Sequence, residues 1–216
     1  MMRYRRSYRR PHKSRFVEMF GNYGANLNLE MSELANRIKV AFVGTCAKYY
    51  TESTNGVPMV RTTNITEHGL DLSDLKYVTH DFHKKNVKSQ LHTGDLLIAR
   101  FGSNGLSCLY SGGEANCLNA IIIEPNTATV MPVFLLHLIN SQYVQRQISN
   151  NLVGSTFAIL NTKSLAKLRV CLPPLTLQRE FAAFVEKVDK LAFAVRKSLE
   201  SAEKLYRQQL SEAFAC

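Results

Sequence analysis

The sequence lacks any apolar run long enough to cross a bilayer. A spanning helix needs roughly 18 or more apolar residues. The longest candidate, Val133 to Ile139, is interrupted by His137. The basic start, Met1 to Arg15, is not followed by an apolar stretch and a small-residue cleavage site, so it does not read as a secretory signal. Cysteine is sparse: Cys46, Cys108, Cys117, Cys171 and Cys216 are odd in number and form no C-x-x-C pair. A structural zinc site wants paired spacing and a secreted scaffold wants an even set. Free thiols in a reducing cytoplasm fit better. The sequon Asn64-Ile65-Thr66 is set aside, because nothing else points to secretion.

Signatures of catalysis are missing too. There is no Gly-x-x-x-x-Gly-Lys-Ser/Thr phosphate loop, no Gly-x-Gly-x-x-Gly between a strand and a helix, and no Gly-x-Ser-x-Gly. Gly102-Ser103-Asn104-Gly105 is glycine-rich but has no following Lys to reach a phosphate, and reads as a tight turn. No Asn/Asp-Pro-Pro-aromatic tetrapeptide is present, since Leu172 and Leu175 flank Pro173-Pro174. His80 and His83 lack a convincing third ligand, and Asp71, Asp74 and Asp81 read as turn-capping residues. We therefore expect no catalytic residue, no metal and no cofactor.

What is present is an ordinary globular composition, with 45% hydrophobic and 20% charged residues in 216. That length suits one large domain or two small ones and can bury a core without staples. The charge is uneven. Lys and Arg total 27 against 17 Asp and Glu, a net of +10. Arg3, Arg5, Arg6, Arg9, Arg10, Lys13 and Arg15 precede the first acid, Glu18, and leave 20 basic residues against 17 acidic ones. Such an arm either binds phosphate backbone nonspecifically or is a solvated, frayed start.

Three regions follow from the pattern. Residues 1–24 are the basic arm with a short amphipathic piece, Arg15 to Phe20, broken at Gly21-Asn22-Tyr23-Gly24. Residues 25–172 are mixed and strand-rich, an α/β (α+β) domain. Val57–Thr63, Asp95–Phe101, Ala120–Ile123 and Leu168–Leu172 have strand length and turn punctuation, and one helix is expected near Pro132 to Ser149. Residues 173–216 are helical, with Thr176 as a candidate cap. Phe181, Val185, Val188, Ala192, Val195, Leu199, Ala202 and Tyr206 follow in alternating steps of four and three. That heptad keeps one coiled-coil seam facing a partner. Roughly 38 residues give a rod of about 57 Å. Its seam is covered by another chain, by another long helix, or by the helix's own domain.

The remaining chemistry is recognition. Lys84, Lys85 and Lys88 form a basic segment with His83, Asn86, Ser89 and Gln90. Lys48 and Tyr49 place an aromatic beside a cation, and Arg61, Arg100, Ser103, Asn104, Ser155 and Thr156 are donors close to turns. Such groups hold phosphates or base edges, or are ordinary surface.

Taken in order, the motifs resemble those of the DNA-specificity subunit of type I restriction–modification systems. They are Gly56-Val57-Pro58-Met59-Val60-Arg61 with Asn64-Ile65, and Gly94-Asp95-Leu96-Leu97-Ile98-Ala99-Arg100 with Gly102 and Gly105. Gly154-Ser155-Thr156 follows, then Leu172-Pro173-Pro174-Leu175 with Gln178. The resemblance covers about Val57 to Leu205. It implies a target-recognition domain that reads one half of a bipartite site in double-stranded DNA, followed by a conserved spacer helix that docks methylation subunits and, through them, the restriction subunit. Such subunits usually carry two recognition domains; this chain resembles one unit. Lys13 to Gly21 also resembles the stretch before a second recognition domain, so a natural half-subunit and the back half of a split one both fit. Two departures stand out: Leu177 where Glu usually precedes the Gln, and Phe157 after Gly154-Ser155-Thr156.

The expected function is thus a cytoplasmic, non-catalytic DNA-recognition subunit, acting as a dimer of two copies or with another half-subunit. The alternatives are a non-DNA-reading adaptor that binds methylation subunits through the helix, and an enzyme, which the missing motifs disfavour.

Overall fold

Strands and helices alternate irregularly along the chain, whose structure is a computed structural model. It describes residues 10–21, 29–66, 69–100, 105–151 and 159–214. The order is α1 (Arg10–Phe20), β1 (Leu29–Glu30), β2 (Ala35–Val40), β3 (Tyr50–Thr51), β4 (Val57–Arg61), β5 (Ile65–Thr66), β6 (Gly69–Leu70) and β7 (Lys76–Val78). Then come α2 (His80–Lys85), β8 (Gln90–Leu91), β9 (Leu96–Ala99), β10 (Ser107–Leu109), β11 (Ala115–Leu118) and β12 (Ala120–Pro125). The last elements are α3 (Pro132–Ile139), α4 (Gln142–Asn150), α5 (Thr162–Ala166), β13 (Arg169–Val170) and α6 (Leu175–Ala213). This is the expected mixed body followed by one long helix. Among the described residues, no helix is long and apolar enough to cross a membrane.

β9 and β12 explain the architecture. Leu96–Ala99 and Ala120–Ile123 have no polar side chain, so both faces of these strands must be covered. They sit at the centre of an antiparallel sheet ordered β10-β9-β12-β2. Leu96, Ile98, Ile121 and Ile123 face α1, α3, α4 and the base of α6. The alternate residues Leu97, Ala120 and Ile122 face a second sheet, ordered β3-β7-β4-β11-β8, through Val60, Ala115 and Cys117. The outer face of that second sheet packs Met59 and Val78 on Phe82 of α2. The chain passes from β11 in one sheet to β12 in the other at a single residue, Asn119. Its φ of 59° is left-handed, a conformation that Asn tolerates better than most residues.

Several sequence expectations change in detail. The single helix expected near Pro132–Ser149 is two, α3 and α4. Ser141 breaks it by accepting from the Val144 N–H as the cap of α4. Thr176 does not cap α6, which opens at Leu175 behind Pro174. The amphipathic piece Arg15–Phe20 belongs to a longer helix, α1. The final strand contracts to Arg169–Val170, which pairs with β1.

Two devices anchor α6. Gln178 is fully buried. Its Oε1 accepts from the Met131 N–H at 2.9 Å, and its Nε2 donates to the carbonyls of Pro173 (2.8 Å) and Thr129 (3.2 Å). One turn on, the Phe181 ring lies 5.0–5.6 Å from those of Phe16, Phe20 and His137. Two polar contacts join the same elements: the Arg15–Glu180 ion pair at 3.1 Å, and His12 Nε2, which lies 3.2 Å from an Asp189 carboxylate oxygen.

Candidate nucleic-acid interface

A run of exposed cations on the two-sheet body is built around a buried asparagine. Asn116 lies in the second sheet and is inaccessible to solvent. Its Nδ2 donates to Ser89 Oγ at 2.7 Å and to the Asn86 carbonyl at 3.4 Å. Its Oδ1 lies 2.7 Å from His83 Nδ1, which therefore carries the proton. Gln90 Nε2 donates to the His83 carbonyl at 2.8 Å, and Asn86 Nδ2 to the Phe82 carbonyl at 2.8 Å. His83, Asn86, Ser89 and Gln90 thus form the scaffold of this segment. Lys84, Lys85 and Lys88 point to solvent around it. Asn116 was not singled out by sequence, because a buried anchor asparagine has no signature of its own.

Lys48 and Tyr49 lie beside this segment. The Tyr49 ring packs 5.0 Å from Phe82, its carbonyl accepts from the Thr79 N–H, and Lys48 Nζ sits 5.0 Å from the Tyr49 ring centre. Tyr49 is accordingly committed to packing on α2, with Lys48 as the exposed member of the pair.

Arg61 is not a free donor. Its Nη2 donates to the Asp74 carboxylate at 2.8 Å and to the Asp74 carbonyl at 2.6 Å. This guanidinium, followed by Lys76, holds the Asp74 carboxyl below its usual range. Asn64, buried beneath it, accepts from the Arg61 N–H and donates to the Asp71 carbonyl. Arg61 therefore ties down the turn before β7.

Arg100 is partly buried, and burial lowers its pKa from the ordinary value. Its Nε donates to the Leu160 carbonyl at 3.4 Å, and its carbonyl accepts from the Leu160 N–H at 3.3 Å. Ser103, Asn104, Ser155 and Thr156 lie outside the described residues. The residues that flank their two segments, Arg100 and Leu160, are joined by this pair of bonds.

Titratable side chains also meet elsewhere in the described residues, as His12 Nε2 does with Asp189 at 3.2 Å. No group of three His, Cys, Asp or Glu side chains there comes together as a metal site. Burial pushes the Cys117 thiol far up, so it is not a nucleophile at neutral pH. A groove of about 730 Å³ lies where α1, α3, α4 and α6 meet, walled by Phe16, Val17, Leu136 and Val185.

The helix seam divides. Phe181 and Val185 are buried in the chain's own core, which corrects their assignment to a seam between chains. Val188 and Ala192 are half-covered. Val195 (60% exposed), Leu199 (45%) and Tyr206 (63%) face solvent, and Ala202 is exposed with them. α6 is 39 residues long, about 58 Å.

Comparison with known proteins matches residues 31–203 to the type I restriction modification DNA specificity domain, a span that takes in the two-sheet body and most of α6. The chain belongs to this family. A relative with a similar sequence is the candidate specificity subunit of the type I restriction enzyme MjaX from Methanocaldococcus jannaschii. It is 25% identical over 194 residues, covering 86% of this chain and 45% of that protein. Two solved structures share the fold of this specificity-family chain. The type I restriction–modification S subunit of M. genitalium has a TM-score of 0.59 at 15% identity and covers 99% of this chain and 55% of its own. The HsdS subunit of Thermoanaerobacter tengcongensis has a TM-score of 0.54 at 14% identity, with coverages of 91% and 48%. The chain thus spans about half the length of the relatives it matches.

Family membership gives the quoted motifs a physical meaning. Gly94 adopts φ 98°, and Asp95 closes the same turn by accepting from the His92 N–H at 2.8 Å. A Cβ on Gly56 would lie 2.5 Å from Thr51 Cγ2, so the strand packs there only as glycine. Asn64 and Gln178 are buried and bonded to backbone. Leu177, in place of the usual Glu, packs against the core beside Gln178.

Proposed function

We propose that this chain is a DNA sequence-recognition subunit of a type I restriction–modification complex. Its body (residues 25–172) reads one half of a bipartite site, and its helix (173–216) sets the spacing and docks methylation subunits. Within residues 1–24, α1 (Arg10–Phe20) joins the helix base. The chain itself carries no catalytic step; adenine methylation and cleavage belong to the methylation and restriction subunits. Two copies pair their seams antiparallel. Two-fold symmetry then demands a palindromic, gapped site.

The supporting observation is the continuity of the family match from the body into α6, whose apolar seam is exposed beyond Ala192. Lys84, Lys85 and Lys88, with Lys48 beside them, supply the phosphate contacts. Their replacement by Glu is expected to weaken DNA binding and flatten its salt dependence, since each lost phosphate contact removes about 0.9 from the log–log slope. Arg100, with Ser103, Asn104, Ser155 and Thr156, is the second proposed contact region.

The deciding experiment is co-expression with a methylation subunit and single-molecule mapping of N6-methyladenine on host DNA. A gapped palindromic motif is the expected result. A non-palindromic motif would replace the homodimer by pairing with another half-subunit. An intact complex that writes no motif would sink the recognition role.

A further inference from the structure

We propose that Val87 is a base-reading residue, packing against the C5-methyl group of a thymine in the major groove while Lys84, Lys85 and Lys88 hold the neighbouring phosphates. The inference rests on the DNA-recognition reading above and names one contact within it.

Val87 is 63% exposed in the 3-10 turn Val87–Ser89. Half of the large apolar side chains exposed among the described residues lie on α6, and Val195, Leu199 and Tyr206 among them belong to its seam. Val17 and Tyr143 sit on α1 and α4, with no lysine following within a turn, and the remaining ones differ in their surroundings. Leu72 stands between Asp71 and Asp74, whose charges repel phosphate. Val43 has its nearest preceding lysine, Lys39, tied to Glu124. The Tyr50 hydroxyl accepts from the Cys46 thiol. Among the described exposed apolar residues, only Val87 has exposed lysines within three positions on both sides, Lys84 and Lys85 before it and Lys88 after it.

The turn is also held more firmly than a surface turn requires. The Asn86 N–H donates to the Phe82 carbonyl at 3.0 Å, and the Gln90 N–H donates to the Val87 carbonyl. Asn116 fixes Asn86 and Ser89 from below. The direction of a β-branched side chain follows its backbone closely, so these bonds fix where the Val87 methyl groups point. Cations position a protein on the duplex but do not specify sequence. An apolar tip among them can specify, because the thymine methyl is the one apolar feature of the major-groove code.

The test uses the chain assembled with its methylation subunits and duplexes carrying the mapped motif, with each thymine replaced in turn by uracil, which lacks only the methyl group. One position should cost the wild-type complex about three- to fivefold in affinity, the effect of one buried methyl. Val87→Ala should bind the thymine site more weakly by a similar factor and no longer distinguish uracil there. Lys85→Glu should weaken all sequences alike and keep the discrimination. The proposal is overturned if no uracil position matters to the wild type, or if the discrimination survives in Val87→Ala. A complex with no sequence preference at all would overturn the recognition reading and this contact together. Preference that does not depend on Val87 sinks this contact alone.

Discussion

The first four turns of α6 and the remainder of the helix have the same heptad but opposite surroundings. Around Phe181 and Val185 the seam is closed by α1, α3 and the first sheet. From Val195 to Tyr206 the same seam is open. The repeat therefore reports that a face will be buried, and not by what. The largest expected contrast tests this. Phe181→Ala should destabilise the chain by about 3–5 kcal/mol, the usual cost of emptying a buried aromatic site. Leu199→Ala should change the stability of the isolated chain by less than about 0.5 kcal/mol while raising the dissociation constant of the proposed dimer. Urea unfolding of dilute protein and light scattering read the two effects separately. Equal losses of stability would mean that the outer seam is already covered within one chain.

The base of the helix is also held by polar bonds, and the outer part is not. Gln178→Leu keeps the volume but leaves the Met131 N–H and the carbonyls of Pro173 and Thr129 without their partner. A buried unsatisfied group costs about 1–3 kcal/mol, so a loss of about 2–3 kcal/mol in urea unfolding is expected. Hydrogen exchange should rise at the start of α3 and α6 together. An outer counterpart, Gln208→Leu, removes only an exposed bond to Glu212 and should change little. A Gln178→Leu chain as stable as wild type would remove the latch from this account.

The same contrast explains what was legible in the sequence. Long features with uniform surroundings were readable: the heptad of α6, and the apolar runs of β9 and β12. The break between α3 and α4 was not, because it rests on one capping serine within an otherwise helical pattern. The motifs shared with the specificity family were readable as signatures but not as chemistry. Asn64, Asp95 and Gln178 each bond the backbone and build the scaffold. Arg61 looked like a DNA contact because Asp74, which takes its charge, lies thirteen residues away in sequence. Lys84, Lys85 and Lys88 were visible as a charge run, whereas Asn116, which anchors the segment between them, comes from a different strand. Sequence thus exposed the cations and concealed the framework that places them.

The smallest expected effect concerns two carboxylates, one buried in the body and one exposed on α6, whose pKa values move in opposite directions. Burial raises that of Asp95 above its usual value, against the lowering effects of the His92 N–H and of Lys39. On the exposed face of α6, the bond from Lys190 lowers that of Glu186. For Asp95 the folded chain binds a proton more readily than the unfolded chain. Stability from this group is therefore full below the ordinary carboxylate pKa and falls as pH rises through the folded value. Asp95→Asn can still accept from the His92 N–H, so it should melt at a higher temperature than wild type at neutral pH, with the difference vanishing on acidification. For Glu186 the sign reverses: its contribution is present above the unfolded pKa and is lost as pH falls. Because Glu186 is fully exposed, Glu186→Gln should lower the melting temperature marginally at low salt and not at all at high salt. Thermal melts of the three proteins across pH 3–7 make the comparison. An Asp95→Asn chain that is destabilised at neutral pH would show that its charge, and not only its hydrogen bond, holds the turn before β9.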